Sequence, residues 1–169
     1  MDYDFEGRID RFGVGRERKV WYTVLFLPDG LATALPFGRF PRLRVEGEIA
    51  DVPVAGAWMP TGDGRRYFIV SPRVLKDAGV GLGDLVEMRF GIADQDAVDV
   101  PAALADALVR DEGARAAWDA LTPGRRRGLA HRVHGARTPE TRARRVAEVI
   151  AELNGRRASV RRSLSRART

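Results

Sequence analysis

Apolar and polar residues alternate along Tyr3-Asp4-Phe5-Glu6-Gly7-Arg8-Ile9-Asp10, and Val20-Trp21-Tyr22-Thr23-Val24-Leu25-Phe26-Leu27 is dense in β-branched and aromatic types, so both predict strands. Between them Gly13-Val14-Gly15-Arg16-Glu17-Arg18-Lys19 supplies glycine and charge, which predicts a hairpin with a long turn, and Pro28-Asp29-Gly30 ends the second strand. Leu43–Ile49 alternates again, and Ala50-Asp51 turns the chain back into Val52–Pro60. After the turn cluster Thr61-Gly62-Asp63-Gly64, a short strand is predicted over Arg66–Val70. Ser71 as N-cap, Pro72 in the first helical position and Gly79 as a stop predict a helix over 72–78, with a last strand at Leu85–Phe90. Six or so short strands without crossover helices describe a small β-barrel rather than a parallel α/β sheet.

From Asp99 the period changes. Pro101–Arg110, Asp111–Leu121, Thr122–Ala136 and Thr138–Asn154 read as helices, with Thr122-Pro123 and Thr138-Pro139 as capped starts and Asn154-Gly155 as a stop. Val146, Val149, Ile150 and Leu153 form one apolar stripe on the last helix. The reading is α+β: a β-barrel domain over 1–98, an all-α helical module over 99–155 and a basic, flexible tail over 156–169.

Charge changes the picture more than composition does. Residues 1–100 carry 13 Lys+Arg against 16 Asp+Glu, and residues 101–169 carry 16 against 7, so 13 − 16 = −3 meets 16 − 7 = +9. Such a basic half points to an acidic partner or nucleic acid, set against the plain alternative of Arg on solvated faces. The absence of Cys excludes disulfides and thiolate metal sites. No apolar run approaches the roughly 18 to 20 residues of a membrane span, and the acidic N-terminus has no secretory pattern, so a cytoplasmic location is expected; the expected state is a monomer or weak homodimer.

Two stretches carry a family resemblance. Tyr67-Phe68-Ile69-Val70-Ser71-Pro72-Arg73-Val74-Leu75-Lys76 with Gly79 and Gly81-Leu82-Gly83-Asp84-Leu85-Val86-Glu87 resembles the strand, Pro-capped helix, Gly-Asp turn and strand of the AbrB-like double-split β-barrel. Leu121-Thr122-Pro123-Gly124-Arg125-Arg126-Arg127 and Ala136-Arg137-Thr138-Pro139-Glu140-Thr141-Arg142-Ala143-Arg144-Arg145 resemble the bacteriocin-protection, YdeI or OmpD-associated family. The resemblance implies a barrel of unknown function ahead of family-specific helices. One departure is His131-Arg132-Val133-His134-Gly135, where Gly135 is expected to weaken its helix by about 1 kcal/mol.

Three function classes compete. For ligand binding by the barrel the candidates are Trp21, Phe37, Arg39, Phe40, Arg42, Trp58 and Met59, with the Gly/Pro loop Phe37–Arg42 the most exposed piece. For phosphate-backbone binding they are Arg125, Arg126, Arg127, Arg142, Arg144, Arg145, Arg156, Arg157, Arg161 and Arg162. No aromatic residue follows Trp118, so that binding would use shape and charge without base stacking. For an enzyme, His131 and His134 lack a third metal ligand, and the glycine runs lack a phosphate-loop lysine; no catalytic residue, metal or cofactor is expected. Ser159 and Ser163 follow Arg pairs and resemble basophilic kinase targets. The reading is a non-enzymatic binding or stress/bacteriocin-protection protein, with a nucleic-acid-associated regulator as the alternative.

Overall fold

The computed structural model describes the backbone of residues 1–17 and 19–166, and side chains as far as Gly155. The chain divides into two compact units between Gln95 and Asp96, ahead of the boundary expected after residue 98.

The first unit is a curled antiparallel sheet of seven strands, β1 (Tyr3–Arg8), β2 (Asp10–Val14), β3 (Val20–Phe26), β4 (Leu43–Ile49), β5 (Val52–Pro60), β6 (Arg66–Ile69) and β7 (Leu85–Ile92). Their order is β1-β7-β4-β5-β6-β3-β2. The two ends of this order are consecutive pieces of one strand that changes partner at Ile9: β1 pairs with β7 and β2 with β3. The predicted single strand over 3–10 is therefore two, and its second half takes in Gly13 and Val14, which the pattern of glycine and charge assigns to the turn. The alternating residues point inward as their period requires. Phe5, Leu25, Val45, Trp58, Phe68, Met88 and Phe90 fill the core, with the Trp58 ring 5.5 Å from Phe90, 5.7 Å from Phe68 and 6.1 Å from Phe5.

Local signals set the turns. Ala50 and Asp51 both have positive φ, 47° and 62°, the geometry of a two-residue hairpin loop. Helix α1 (Asp29–Ala32) lies in the segment between β3 and β4, and helix α2 (Pro72–Ala78) has its predicted bounds. The Ser71 hydroxyl accepts the Val74 N–H, and Gly79 ends α2 in the left-handed region at φ 67°.

The second unit holds α3 (Ala102–Arg110), α4 (Glu112–Asp119), α5 (Pro123–His134) and α6 (Pro139–Arg166). Asp111, Thr122 and Thr138 cap the starts of α4, α5 and α6 by accepting the N–H groups of Ala114, Arg125 and Thr141. Leu104, Leu108, Trp118, Leu129, Val133, Val149 and Leu153 form its core. Two expectations are corrected here. Gly135 is the C-cap residue after α5, not an interior position, so it costs that helix nothing as an interior glycine. The stop expected at Asn154-Gly155 is not used: Gly155 continues the helical path of α6, and Asn154 Nδ2 donates to Asp111 Oδ2 at 2.8 Å. Among the described residues no helix is long and apolar enough to cross a membrane.

The glycines give a contrast that stability measurements can read. A Cβ on Gly47 would lie 2.0 Å from the Arg89 carbonyl oxygen and 2.6 Å from Phe90 Cα, both backbone atoms of the neighbouring strand β7. Gly47→Ala is therefore expected to cost the barrel about 3 kcal/mol or more in chemical denaturation. Gly128 lies inside α5, where an added methyl group would meet nothing within 4 Å, so Gly128→Ala should give about 1 kcal/mol of added stability.

Candidate functional site

The residues proposed for the barrel do not converge on one cavity. Trp58 is fully buried in the core, and its indole N–H has no hydrogen-bond acceptor among the described residues. Met59, next along the same strand, points the opposite way and is half-buried opposite Tyr67. Trp21 is exposed near the start of β3, five residues and about 17 Å of strand from Phe26 at the other end. These positions separate because strand register, invisible in composition, decides which face and which end each aromatic occupies.

What stays together is the loop Phe37–Arg42, joined by residues that the sequence did not single out. Antiparallel pairing brings the end of β3, the start of β4, the end of β5 and the start of β6 to one end of the barrel. There the chain makes a helical turn, in which the Pro36 carbonyl accepts N–H bonds from Arg39 at 3.1 Å and Phe40 at 2.9 Å. Phe37 and Phe40 pack against the core while Arg39 and Arg42 stay exposed. Three guanidinium groups sit over rings: Arg66 at 4.6 Å from the Phe37 centroid, Arg39 at 5.0 Å from Phe40 and Arg65 at 4.4 Å from Phe26. Each such contact at a wet surface contributes about 0.5–1 kcal/mol, enough to orient the cation without consuming its N–H donors.

Only one of these arginines is neutralised locally. Arg65 Nε lies 3.0 Å from Asp63 Oδ2, and Asp63 also accepts the Arg65 backbone N–H and the Thr61 hydroxyl. The guanidinium groups of Arg39, Arg42 and Arg66 have no hydrogen-bond or ion-pair partner among the described residues. The result is a cationic, aromatic-backed surface able to take carboxylate or phosphate oxygens. Arg66 and Phe26 were legible only as strand residues and Arg65 was assigned to no element, since their link to the loop comes from topology.

In the helical unit six of the arginines expected to line a phosphate surface have described side chains, and five of these six are engaged with the protein itself. Arg126 donates to the Trp118 and Asp119 carbonyls at 3.1 and 2.6 Å, where α4 ends. Arg127 reaches Ala97 O at 3.1 Å, Arg142 reaches Ala136 O at 3.4 Å, and Arg145 reaches Arg132 O at 2.7 Å. Arg144 lies 3.9 Å from Glu148. Arg125 is exposed beside an open hollow of about 320 Å³, which Arg132 also lines. Arg156, Arg157, Arg161 and Arg162, with Ser159 and Ser163, lie outside the residues whose side chains are described. His131 and His134 are exposed, His134 Nε2 lies 3.3 Å from Asp99 Oδ2, and no metal-holding group of three His, Asp or Glu occurs among the described residues.

Residues 97–155 match the family described as bacteriocin-protection, YdeI or OmpD-associated, and residues 5–90 match a domain of unknown function, DUF1905. The helical unit belongs to the bacteriocin-protection, YdeI or OmpD-associated family, and the barrel to the DUF1905 family. No curated protein and no solved structure matches it. In this chain the two matched segments coincide with the barrel and the helical unit, so the Arg–Phe end belongs to the domain of unknown function and the carbonyl-capping arginines to the helices that carry the bacteriocin-protection family's name.

The Asp63 bracket makes a pH-dependent statement about this site. Its carboxyl is held below the ordinary carboxylate range, chiefly by the Thr61 hydroxyl, then by the Arg65 backbone N–H and guanidinium. A depressed folded-state pKa stabilises the turn above the ordinary value, and that contribution disappears as pH falls through the depressed one. Carbon-13 NMR titration should show Asp63 ionised where free carboxylates are already protonating, and Thr61→Val should move it back toward the ordinary range. An Asp63 titration unmoved by Thr61→Val would contradict the assigned cause.

Proposed function

We propose that this chain is a non-enzymatic, cytoplasmic binding protein acting in bacteriocin or stress protection, and that it takes an anionic ligand at the Arg–Phe end of its barrel. The observation that carries this reading is the set of uncommitted guanidinium groups of Arg39, Arg42 and Arg66, two of them already oriented on rings. The family name supports the protective role. The partner exchange at Ile9, and the limited pairing of β5 with β6 at Met59–Pro60, support reading the barrel as the AbrB-like double-split type. A nucleic-acid role for the helical unit rests on its net charge, and Arg126, Arg127, Arg142 and Arg145 already spend donors on main-chain carbonyls.

The test is survival of a bacteriocin-sensitive bacterial strain expressing the protein. Wild type should raise survival, and the triple variant Arg39→Ala, Arg42→Ala, Arg66→Ala should lose at least tenfold of that gain while keeping its thermal transition. Arg73→Ala, whose exposed side chain pairs with Asp77 on the same helix, should protect as wild type does. Full protection by the triple variant would remove the barrel end as the site. Fluorescence anisotropy against duplex DNA and RNA over a salt series separates the alternative: binding that falls steeply with salt and ignores the three substitutions would favour it.

A further inference from the structure

The hairpin of β2 and β3 exposes apolar surface at its tip. Val14 is 37% exposed, Val20 54% and Trp21 53%, against 0% for Trp58 and 5% for Trp118. Val14 and Val20 are cross-strand partners and share one face, whereas Trp21 stands opposite Gly13 on the other. Gly13 makes room for the indole, since a Cβ there would lie 3.2 Å from the Trp21 ring. Apolar surface therefore wraps both faces of the tip. A flat protein partner or a stacked base would engage one face, while a fluid apolar medium accepts both.

The rim of this tip is cationic. Arg11 and Lys19 lie 5.2 and 5.8 Å from the Trp21 ring centroid, Arg16 is exposed, and residues 15–19 carry three cations against one acid, Glu17. A tryptophan beside aliphatic side chains with Lys and Arg alongside is the composition that the lipid–water interface selects, and anionic headgroups supply the counter-charge. We propose that the hairpin tip inserts shallowly into the headgroup region of an anionic lipid bilayer, with Val14, Val20 and Trp21 entering the interface and Arg11, Arg16 and Lys19 meeting lipid phosphates. This contact is independent of the ligand site at the other end of β3.

The burial of Trp58 and Trp118 makes intrinsic fluorescence a reporter of Trp21. The full chain is mixed with vesicles of phosphatidylcholine alone or with added phosphatidylglycerol. Anionic vesicles should shift emission to the blue and shield it from acrylamide, and neutral vesicles should do neither. Trp21→Ala should abolish the shift, and Arg16→Gln with Lys19→Gln should weaken partitioning about 25-fold, at about fivefold per charge near an anionic surface. The proposal is overturned by an absent shift, by a shift that survives Trp21→Ala, by vesicle binding that leaves Trp21 open to acrylamide, or by protection that only a duplex oligonucleotide produces.

Discussion

The barrel depends on a strand that changes partner without leaving its own backbone unpaired. At Ile9 the chain departs from β7 and joins β3, and a buried main chain at such a point needs every N–H and C=O satisfied. The turn before β7 supplies the partners: Ile9 N–H donates to Asp84 O at 2.9 Å, and Gly83 N–H donates to Ile9 O at 2.8 Å. Gly83 adopts φ 89°, a conformation that favours glycine, and Arg8 Nη1 donates to its carbonyl at 2.5 Å. The Ile9 side chain, 1% exposed, fills the core at the same point. Closure, turn chemistry and packing thus meet in one residue, and the sheet's two ends stay joined because of it.

That constraint also explains which parts of the fold can be read along the chain. Ser71, Pro72 and Gly79 bound α2 as predicted because a cap and a left-handed stop act within a few residues. The switch at Ile9 has no such signature: alternation continues across it, and period two says which face a residue takes but not which strand it meets. Gly155 fails as a stop for a related reason. A glycine lowers helix stability by only about 1 kcal/mol, which α6 absorbs as it runs on through Gly155. The loop Phe37–Arg42 was legible as aromatic and cationic, whereas Arg66 joined it only because strand pairing places the start of β6 at the same end of the barrel.

Net charge proves a poor guide to where cations are available. The helical unit is the basic half, yet Arg126, Arg127, Arg142 and Arg145 direct donors at main-chain carbonyls, two of those carbonyls at the end of α4 where orphan acceptors accumulate. The barrel half is net acidic, but several of its carboxylates are drawn to other arginines: Glu48 and Asp51 to Arg89, and Asp63 to Arg65. Arg39 and Arg42 are left facing solvent and Arg66 half-buried, with Arg39 and Arg66 over aromatic rings. The count of charges over a segment measures neither of these allocations. Availability follows from geometry, because an arginine already hydrogen-bonded to the fold offers an incoming anion fewer donors at a higher desolvation cost.

The barrel's two exposed cationic, aromatic surfaces lie at opposite ends of β3, with Trp21 near its start and Phe26 at its end. Five residues of extended strand separate these rings by about 17 Å, roughly twice the screening length of about 8 Å at physiological ionic strength. Charge at one end therefore has little effect on an anion at the other through solvent. The intervening strand is fixed by pairing with β2 and β6 and by the buried Val24 and Leu25, so it offers no hinge for mechanical coupling. Substitutions at Trp21 and at Arg39, which touch different rings, should act additively, as distant sites do. The same strand can thus present a lipid-facing tip and an anion-facing barrel end as separate devices, each adjustable without disturbing the other.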